Sequence, residues 1–268
     1  MILAIDVGGT KTLVSTFSYD GVLEEEIRFE TPKDYPAFLE KLKQSIDGLK
    51  AKKFIRCAIA MPGQIDHKHG IALAFGNLPW ENVPIRADLE SFLGDVRVLV
   101  ENDAKVAGLY EAQLLPEYKK VLYITVSTGI GGGLIVNRKI DKITQDAEYG
   151  HMLLEHDGTL QRWEEFASGK AIYKRFNMRA ADITDQGAWY EIARNIAIGL
   201  IDVIAATTPD IVVIGGGVGS HFEKFKEKLL GELDLYDDAL LRIPPVIGAQ
   251  HAEEAVIYGC YTLAKQSL

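Results

Sequence analysis

Two apolar stretches each run into a turn built of glycine and threonine, and these turns are the chain's clearest chemistry. The first is Ile2 to Val7 followed by Gly8-Gly9-Thr10-Lys11. The second is Val121 to Val126 followed by Ser127-Thr128-Gly129-Ile130-Gly131-Gly132-Gly133. Each leads into another apolar stretch, Leu13 to Phe17 and Leu134 to Val136, which predicts strand, turn, strand. Such a turn exposes backbone N–H groups with little side-chain bulk, so an anion such as a phosphate can approach closely. Glycine turns also arise simply to accommodate positive φ, and one alone reads as a folding element as readily as a ligand site. The recurrence, with a third run Gly215-Gly216-Gly217 after Ile211 to Ile214, favours a polyphosphate clasped between two similar halves. No GxxxxGK[ST] is present, so this is not a Walker A loop.

Carboxylates and imidazoles form the second group. Glu101-Asn102-Asp103 ends the apolar run Val96 to Val100 and precedes a helical stretch from about 104 to 115. Asp103 there reads either as a helix N-cap or as a carboxylate placed to accept a proton, and a helix N-terminus would keep it ionised. The two roles are compatible, since Asn102 can share the capping. Glu148 and His151 stand three apart, but Asp146 and Gly150 around them favour a loop over a helical metal pair. His67-Lys68-His69 reads as an exposed loop rather than a chelate, and His156-Asp157 as a solvated loop. Cys57, in an apolar strand, is a small buried residue.

These residues need elements to hold them. Strands are expected at 2–7, 12–19 and 22–30, a helix at 36–49, and a buried strand from Phe54 to Ala60. The segment Gln64 to Pro84 has little periodicity and reads as a long loop. Helix 86–93, the strand Val96–Val100 and helix 104–115 follow. The theme then repeats: a hairpin at 121–140, a long irregular segment, helices at 168–177 and 188–207, the strand Ile211–Ile214, a helix near 220–230 and a last amphipathic helix at about 251–265. A βββαβα order occurring twice means an α/β class with mixed sheets flanked by helices. The division falls in the helix after Asp103, as a hinge, giving one lobe of residues 1–106 plus 251–268 and another of 107–250.

Composition narrows the partners. The chain has 268 residues, a formal charge of −9, 47% hydrophobic and 25% charged residues, ordinary for a globular protein. The acidic balance argues against nucleic acid, which needs a basic footprint. Two cysteines, Cys57 and Cys260, do not make a disulfide framework and favour a reducing compartment. The most apolar helical stretch, Ile196 to Ala206, is too short to span a bilayer and contains Asp202. With no signal-peptide pattern at the start, the expectation is a cytoplasmic protein without a membrane partner.

Taken in order, Asp6-Val-Gly-Gly-Thr-Lys11, Pro62-Gly63, Asn77-Leu-Pro-Trp80, Glu101-Asn-Asp103, Ser127 to Gly133, Glu148-Tyr-Gly-His151, Ala167-Ser-Gly169 and Ile214 to Gly217 resemble the ROK family of sugar kinases and related repressors. The resemblance implies a two-lobed actin/hexokinase-like (ribonuclease H-like) fold, and a kinase that moves a phosphoryl group from ATP with Mg²⁺ to a hexose, glucose at O6 foremost. It makes Asp103 the general base. Gly63, Asn77, Asn102, Asp103, Glu148, His151 and Glu164 would bind sugar; hydroxyls call for such a lining. Gly8, Gly9, Thr10, Lys11, Thr128, Gly129, Gly131, Gly132 and Gly133 would surround the phosphates, Gly216 and Gly217 the adenosine, and Asp6 would hold Mg²⁺, through water. Phosphoryl transfer depends more on positioning than on strong basicity, which suits an ionised aspartate.

The chain departs from the family between His151 and Glu164, where most members carry three zinc-binding cysteines. None is present here, so a cysteine-ligated zinc is excluded. Leu160, Trp163 and Phe166 are the expected anchors of that shorter loop. Some members that lack the cysteines resemble polyphosphate-dependent glucokinases, which keeps polyphosphate open as donor, although no groove rich in lysine and arginine is evident near the turns. N-acetylmannosamine, fructose, mannose and allose remain open as sugars, as does a non-catalytic sugar-binding regulator. The family's repressors carry a helix-turn-helix before the DxGGT segment, and five residues precede Asp6 here. Family members are often dimeric, which leaves a homodimer open.

Overall fold

Strand β1 (Ile2–Val7) shows why the first half folds as it does. Its side chains alternate: Leu3, Ile5 and Val7 enter one buried cluster, Ile2 and Ala4 another. A strand buried on both faces reads as a continuous apolar run, and it needs helices on both sides. A computed structural model of the chain, which describes residues 1–251 and 254–268, supplies them. The chain divides into two compact units, Met1–Tyr110 with Glu254–Leu268, and Glu111–Glu253.

In the first unit, β1 is followed by β2 (Lys11–Phe17), β3 (Leu23–Glu30), α1 (Tyr35–Gly48), β4 (Arg56–Met61), β5 (Gln64–Asp66), β6 (Ile71–Ala74), β7 (Glu81–Val83), α2 (Ile85–Leu93), β8 (Val98–Asn102) and α3 (Asp103–Gln113). The sheet order is β3-β2-β1-β4-β8, antiparallel from β3 to β1 and parallel from β1 to β8. Asp34 caps α1, its carboxylate accepting the Ala37 N–H at 3.0 Å.

The segment expected as a loop, 64–84, is instead a three-stranded antiparallel sheet, β5-β6-β7. Strands of three or four residues are too short to show a period. Ile65, Ala72 and Val83 nevertheless join the core beside Trp80.

The second unit contains β9 (Lys120–Val126), β10 (Ile130–Val136), β11 (Lys139–Ile140), β12 (Leu153–His156), β13 (Thr159–Arg162), α4 (Trp163–Ala167), α5 (Gly169–Phe176), α6 (Gln186–Thr207), β14 (Ile211–Gly215), α7 (Gly216–Gly219), α8 (Phe222–Asp234) and β15 (Val246–Gly248). Its sheet order, β11-β10-β9-β14-β15, repeats that of the first: a meander of three strands, then two strands added in parallel. The main core lies along α6, where Trp189, Ile192, Ile196, Leu200 and Val203 are buried.

The irregular stretch before residue 168 holds a hairpin, β12–β13, closed by Asp157-Gly158 at φ 51° and 77°. Asp-Gly between paired strands is a two-residue hairpin signal that the expectation of a solvated loop passed over. His156 is accordingly buried, not solvated: its ring stacks on Phe166 at 4.2 Å and its Nε2 meets Asn195 Oδ1 at 3.2 Å. Leu160 is 71% exposed and anchors nothing, whereas Trp163 and Phe166 are buried.

The last helix, α9 (Ala255–Gln266), packs on β1 and β4 through Ile257, Cys260 and Ala264. The expected first turn of this helix, at residues 252 and 253, lies outside the described residues. Among the described residues no helix is long and apolar enough to cross a membrane.

Candidate functional site

In the first unit, Asp6, Gly63 and Asp103 lie at one end of the sheet. Asp6 pairs with Ala60 and Ala60 with Glu101 across three parallel strands, so Asp6 near the end of β1, and Gly63 and Asp103 just past β4 and β8, share the carboxyl end of these strands. That end is where open α/β sheets bind ligands.

Gly63 has φ +99°, and a Cβ there would lie 2.0 Å from the Ala74 carbonyl oxygen, so no other residue fits. Its own carbonyl accepts a hydrogen bond from Asn102 Nδ2 at 2.9 Å. Asn102 also caps α3: its Oδ1 accepts the N–H groups of Ala104 at 3.0 Å and Lys105 at 3.3 Å. The cap is thus Asn102, one residue before Asp103. Asp103 opens the helix, with its Oδ1 2.8 Å from the Ala104 N.

The turn Gly8-Gly9-Thr10 is pinned from β3 and the segment after it. Thr31 donates its hydroxyl to the Gly8 carbonyl at 2.8 Å, and its N–H to that of Thr10 at 2.9 Å. Lys33, unnoticed in the sequence, places its ammonium 2.7 Å from the Gly9 carbonyl and 3.4 Å from that of Asn77. The Gly8-Gly9-Thr10 turn and the Asn77 loop therefore share one cation. Thr10 and Lys11 are exposed.

Asp6 is the electrostatic centre of this unit. Burial, and then the Asp103 carboxylate, push its pKa up to about 7, against a smaller opposing pull from Arg28. Two carboxylates sharing a partly desolvated site fit a hard cation such as Mg²⁺, which takes oxygen ligands and keeps several waters. The shift has a sign for stability. A carboxyl whose folded pKa lies above its unfolded value stabilises the fold when protonated, and that contribution is lost as pH rises from about 4 through about 7. In chelator, the wild-type melting temperature should fall across that window relative to Asp6→Asn. The variant should be the more stable of the two at pH 8, by several degrees. A difference between the two that does not vary with pH would refute the assignment.

In the second unit, the turn Ser127-Thr128-Gly129 joins β9 to β10, and Ser127 N–H donates to the Gly129 carbonyl at 2.9 Å. The start of α5 braces it, Gly169 N donating to Ser127 O at 2.7 Å. Of the expected phosphate residues, Thr128 and Gly129 occupy the turn, while Gly131, Gly132 and Gly133 belong to β10. Gly132 is buried, and a Cβ on it would meet Tyr123 O at 2.5 Å and the Tyr149 ring at 2.9 Å. It is a packing glycine, so a Gly132→Val variant would report on folding rather than on phosphate.

Gly216, at φ +83°, and Gly217 follow β14, which runs parallel to β9 with Gly215 opposite Thr125. A cavity of about 580 Å³ opens beside these turns, lined by Ser127, Thr128, Lys170, Tyr173, Arg179 and Gly217 among others. Lys170, Tyr173 and Arg179 were not singled out in the sequence. Lys170 and Arg179 supply a basic wall that the sequence near the turns did not reveal.

Glu148, Tyr149 and His151 form the 3₁₀ turn expected as a loop, Tyr149–His151, with Glu148 just before it. His151 Nε2 lies 3.5 Å from Glu164 Oε1, and Glu164 Oε2 accepts the Ile130 N–H at 3.4 Å. The unit thus gathers His151 and Glu164 beside the 127–130 turn.

Fold and site together define an α/β protein of the actin/hexokinase type, with several sheets, two of them mixed, flanked by helices. The chain belongs to the ROK family, whose model matches residues 2–267. It is 24% identical to a glucokinase of Streptomyces coelicolor, over 99% of this chain and 98% of that protein. It is 29% identical to an N-acetyl-D-glucosamine kinase of Shigella boydii serotype 4, over 97% of each. The crystal structure of a ROK family glucokinase from Streptomyces griseus, in complex with glucose and AMPPNP, superposes with a TM-score of 0.83 at 24% identity, covering 99% of both chains.

Proposed function

We propose that this chain is an ATP-dependent hexose kinase acting first on glucose at O6. The observation that carries the reading is Asp103. It stands at the carboxyl end of a parallel strand, and Asn102 caps α3 through both the Ala104 and the Lys105 N–H, with Asp103 Oδ1 sharing the Ala104 N–H. In this reading the sugar O6 attacks the γ-phosphorus, Asp103 takes the hydroxyl proton, and ADP leaves. Asp103 needs correct placement more than high basicity. Gly63, Asn77, Asn102, Glu148, His151 and Glu164 bind sugar hydroxyls. The turns at 8–10 and 127–129 bind the phosphates, and the 580 Å³ cavity takes the nucleoside. Asp6 would help hold Mg²⁺, and the ion would supply charge neutralisation on the phosphates. The first unit provides the base and part of the sugar site, the second most nucleotide contacts.

Related proteins support the class: a glucokinase and an N-acetyl-D-glucosamine kinase match over nearly the whole chain, and a glucokinase of the same fold holds glucose and AMPPNP. Polyphosphate is the second reading for the donor, favoured by Lys170 and Arg179 on the cavity wall.

A coupled ADP-release assay over glucose, N-acetylglucosamine, N-acetylmannosamine, fructose, mannose and allose, repeated with polyphosphate as donor and sugar phosphate as readout, tests both. Glucose with ATP should give the highest kcat/KM, and absence of turnover with every sugar and donor would refute the kinase. Gly217→Asp tests the nucleotide site, because a Cβ at Gly217 meets nothing within 4 Å. The fold should hold while the new carboxylate raises the ATP KM about tenfold, as one adverse charge contact of about 1.4 kcal/mol would. An unchanged ATP KM would move the nucleotide elsewhere.

A further inference from the structure

Glu101 is a buried carboxylate that the proposed chemistry does not use. Its side chain is only 7% exposed, and it immediately precedes Asn102 and Asp103. Burying a carboxylate is costly unless donors satisfy it. One oxygen, Oε1, has two: the Asn102 N–H at 2.8 Å and His67 Nε2 at 2.9 Å. The contact to His67 spans 34 residues, and it links β8 to the turn between β5 and β6.

That turn is held on its other side too. Arg86, on α2, donates to the carbonyls of His67 at 2.9 Å and Lys68 at 3.2 Å. Gly70 N–H closes the turn on Asp66 O at 2.7 Å. His69 turns away from His67, its Nδ1 lying 2.7 Å from Asp66 Oδ2. The two imidazoles therefore have different carboxylate partners and do not act as a chelating pair.

At the opposite end of the same hairpin, Asn102 Nδ2 donates to Gly63 O, and Gly63 packs on Ala74. The segment Glu101-Asn102-Asp103 is thus tied to the β5–β6 hairpin at both ends, through His67 at one and Gly63 at the other. The loop bearing Asn77 runs out of that hairpin, between β6 and β7.

We propose that His67, acting through Glu101, is a positioning residue that holds Asp103 and the Asn77 loop in one register. The proposal rests on Asp103 being the base. His67 meets Glu101 directly, Nε2 to Oε1 at 2.9 Å. Removing its ring takes a donor from a buried carboxylate and releases a side-chain tie between the end of β8 and the β5–β6 hairpin. A shift of about 1 Å in a catalytic group can cost on the order of 10² in rate. The histidine donates from Nε2, and a glutamine at this position can present its amide nitrogen near the same point.

The test is a set of variants assayed on the best hexose from the substrate screen. His67→Ala should lower kcat tenfold or more and leave the ATP KM within twofold. His67→Gln should recover most of the loss. His67→Ala combined with Glu101→Gln should be no worse than Glu101→Gln alone, because one tie cannot be cut twice. Amide exchange at residues 101–105 should quicken in His67→Ala and slow again in His67→Gln. Wild-type kcat in His67→Ala, no rescue by glutamine, or multiplying losses in the double variant would each overturn the proposal while leaving the kinase reading intact. A wild type that turns over no hexose overturns both.

Discussion

Asp103→Asn should reduce turnover on hexose by on the order of 10² or more while the protein stays folded and its ATP KM holds. The structure makes the fold half of this expectation specific. Asn102 Oδ1 accepts the Ala104 and Lys105 N–H groups that cap α3, and Asp103 Oδ1 shares the Ala104 N–H at 2.8 Å, a bond that an asparagine oxygen at position 103 can still accept. What the amide lacks is the ability to take a proton from the sugar hydroxyl. The variant also removes a negative charge that acts on Asp6, so the Asp6 pKa should fall from about 7 towards its ordinary value, and the chelated protein should lose less stability between pH 4 and 7. Turnover within a few-fold of wild type in a folded Asp103→Asn protein would return this residue to a purely structural role.

Trp163→Ala carries the second large effect, and it acts on both stability and sugar affinity. The indole is fully buried at the start of α4, donates to Asn195 O at 3.2 Å, and lies so close to α6 that a Cβ on Gly199 would sit 2.3 Å from the ring. Asn195 also reaches His156 and the Phe166 carbonyl, so one buried polar residue joins the β12–β13 hairpin to α4. Truncation leaves a large cavity, costing about 3–5 kcal/mol, or roughly 10 °C of melting temperature.

The neighbouring Glu164, 3.5 Å from His151, depends on that anchor for its direction. The sugar KM should therefore rise several-fold more than the ATP KM, measured well below the lowered melting point. A drop in melting temperature with both KM values unchanged would make Trp163 a core residue with no part in the sugar site. By resemblance to the family, a zinc-cysteine cluster would be expected to brace this loop. In this chain the bracing falls to Trp163, Asn195 and the stacked His156–Phe166 pair.

The repeated architecture was legible because its signals are local. Continuous apolar runs at residues 2–7 and 121–126, glycine after those strands, and Glu101-Asn102-Asp103 between a strand and a helix state their roles within a few residues. The matching sheet orders of the two units follow from that repeated pattern, and so does the place of Asp6 and Asp103 at strand ends.

Tertiary structure decided whatever depends on pairing between distant segments. The strands β5–β7 are too short for a period and exist because they pair with one another over the core. Gly132 shares a run with Gly129, but ladder register put it in the sheet against Tyr123 and Tyr149, leaving the turn to Thr128 and Gly129. Lys33, Lys170 and Arg179 look like ordinary surface cations in the sequence, and only the folded chain sets them beside the turns. His67 is the sharpest case. Its neighbours in sequence describe an exposed loop, while its partner, the buried carboxylate of Glu101, stands 34 residues away and becomes adjacent only when the β5–β6 hairpin docks at the end of β8. Backbone preference is set by near neighbours, but the partner of a side chain is set by which strands pair, and that is a property of the whole fold.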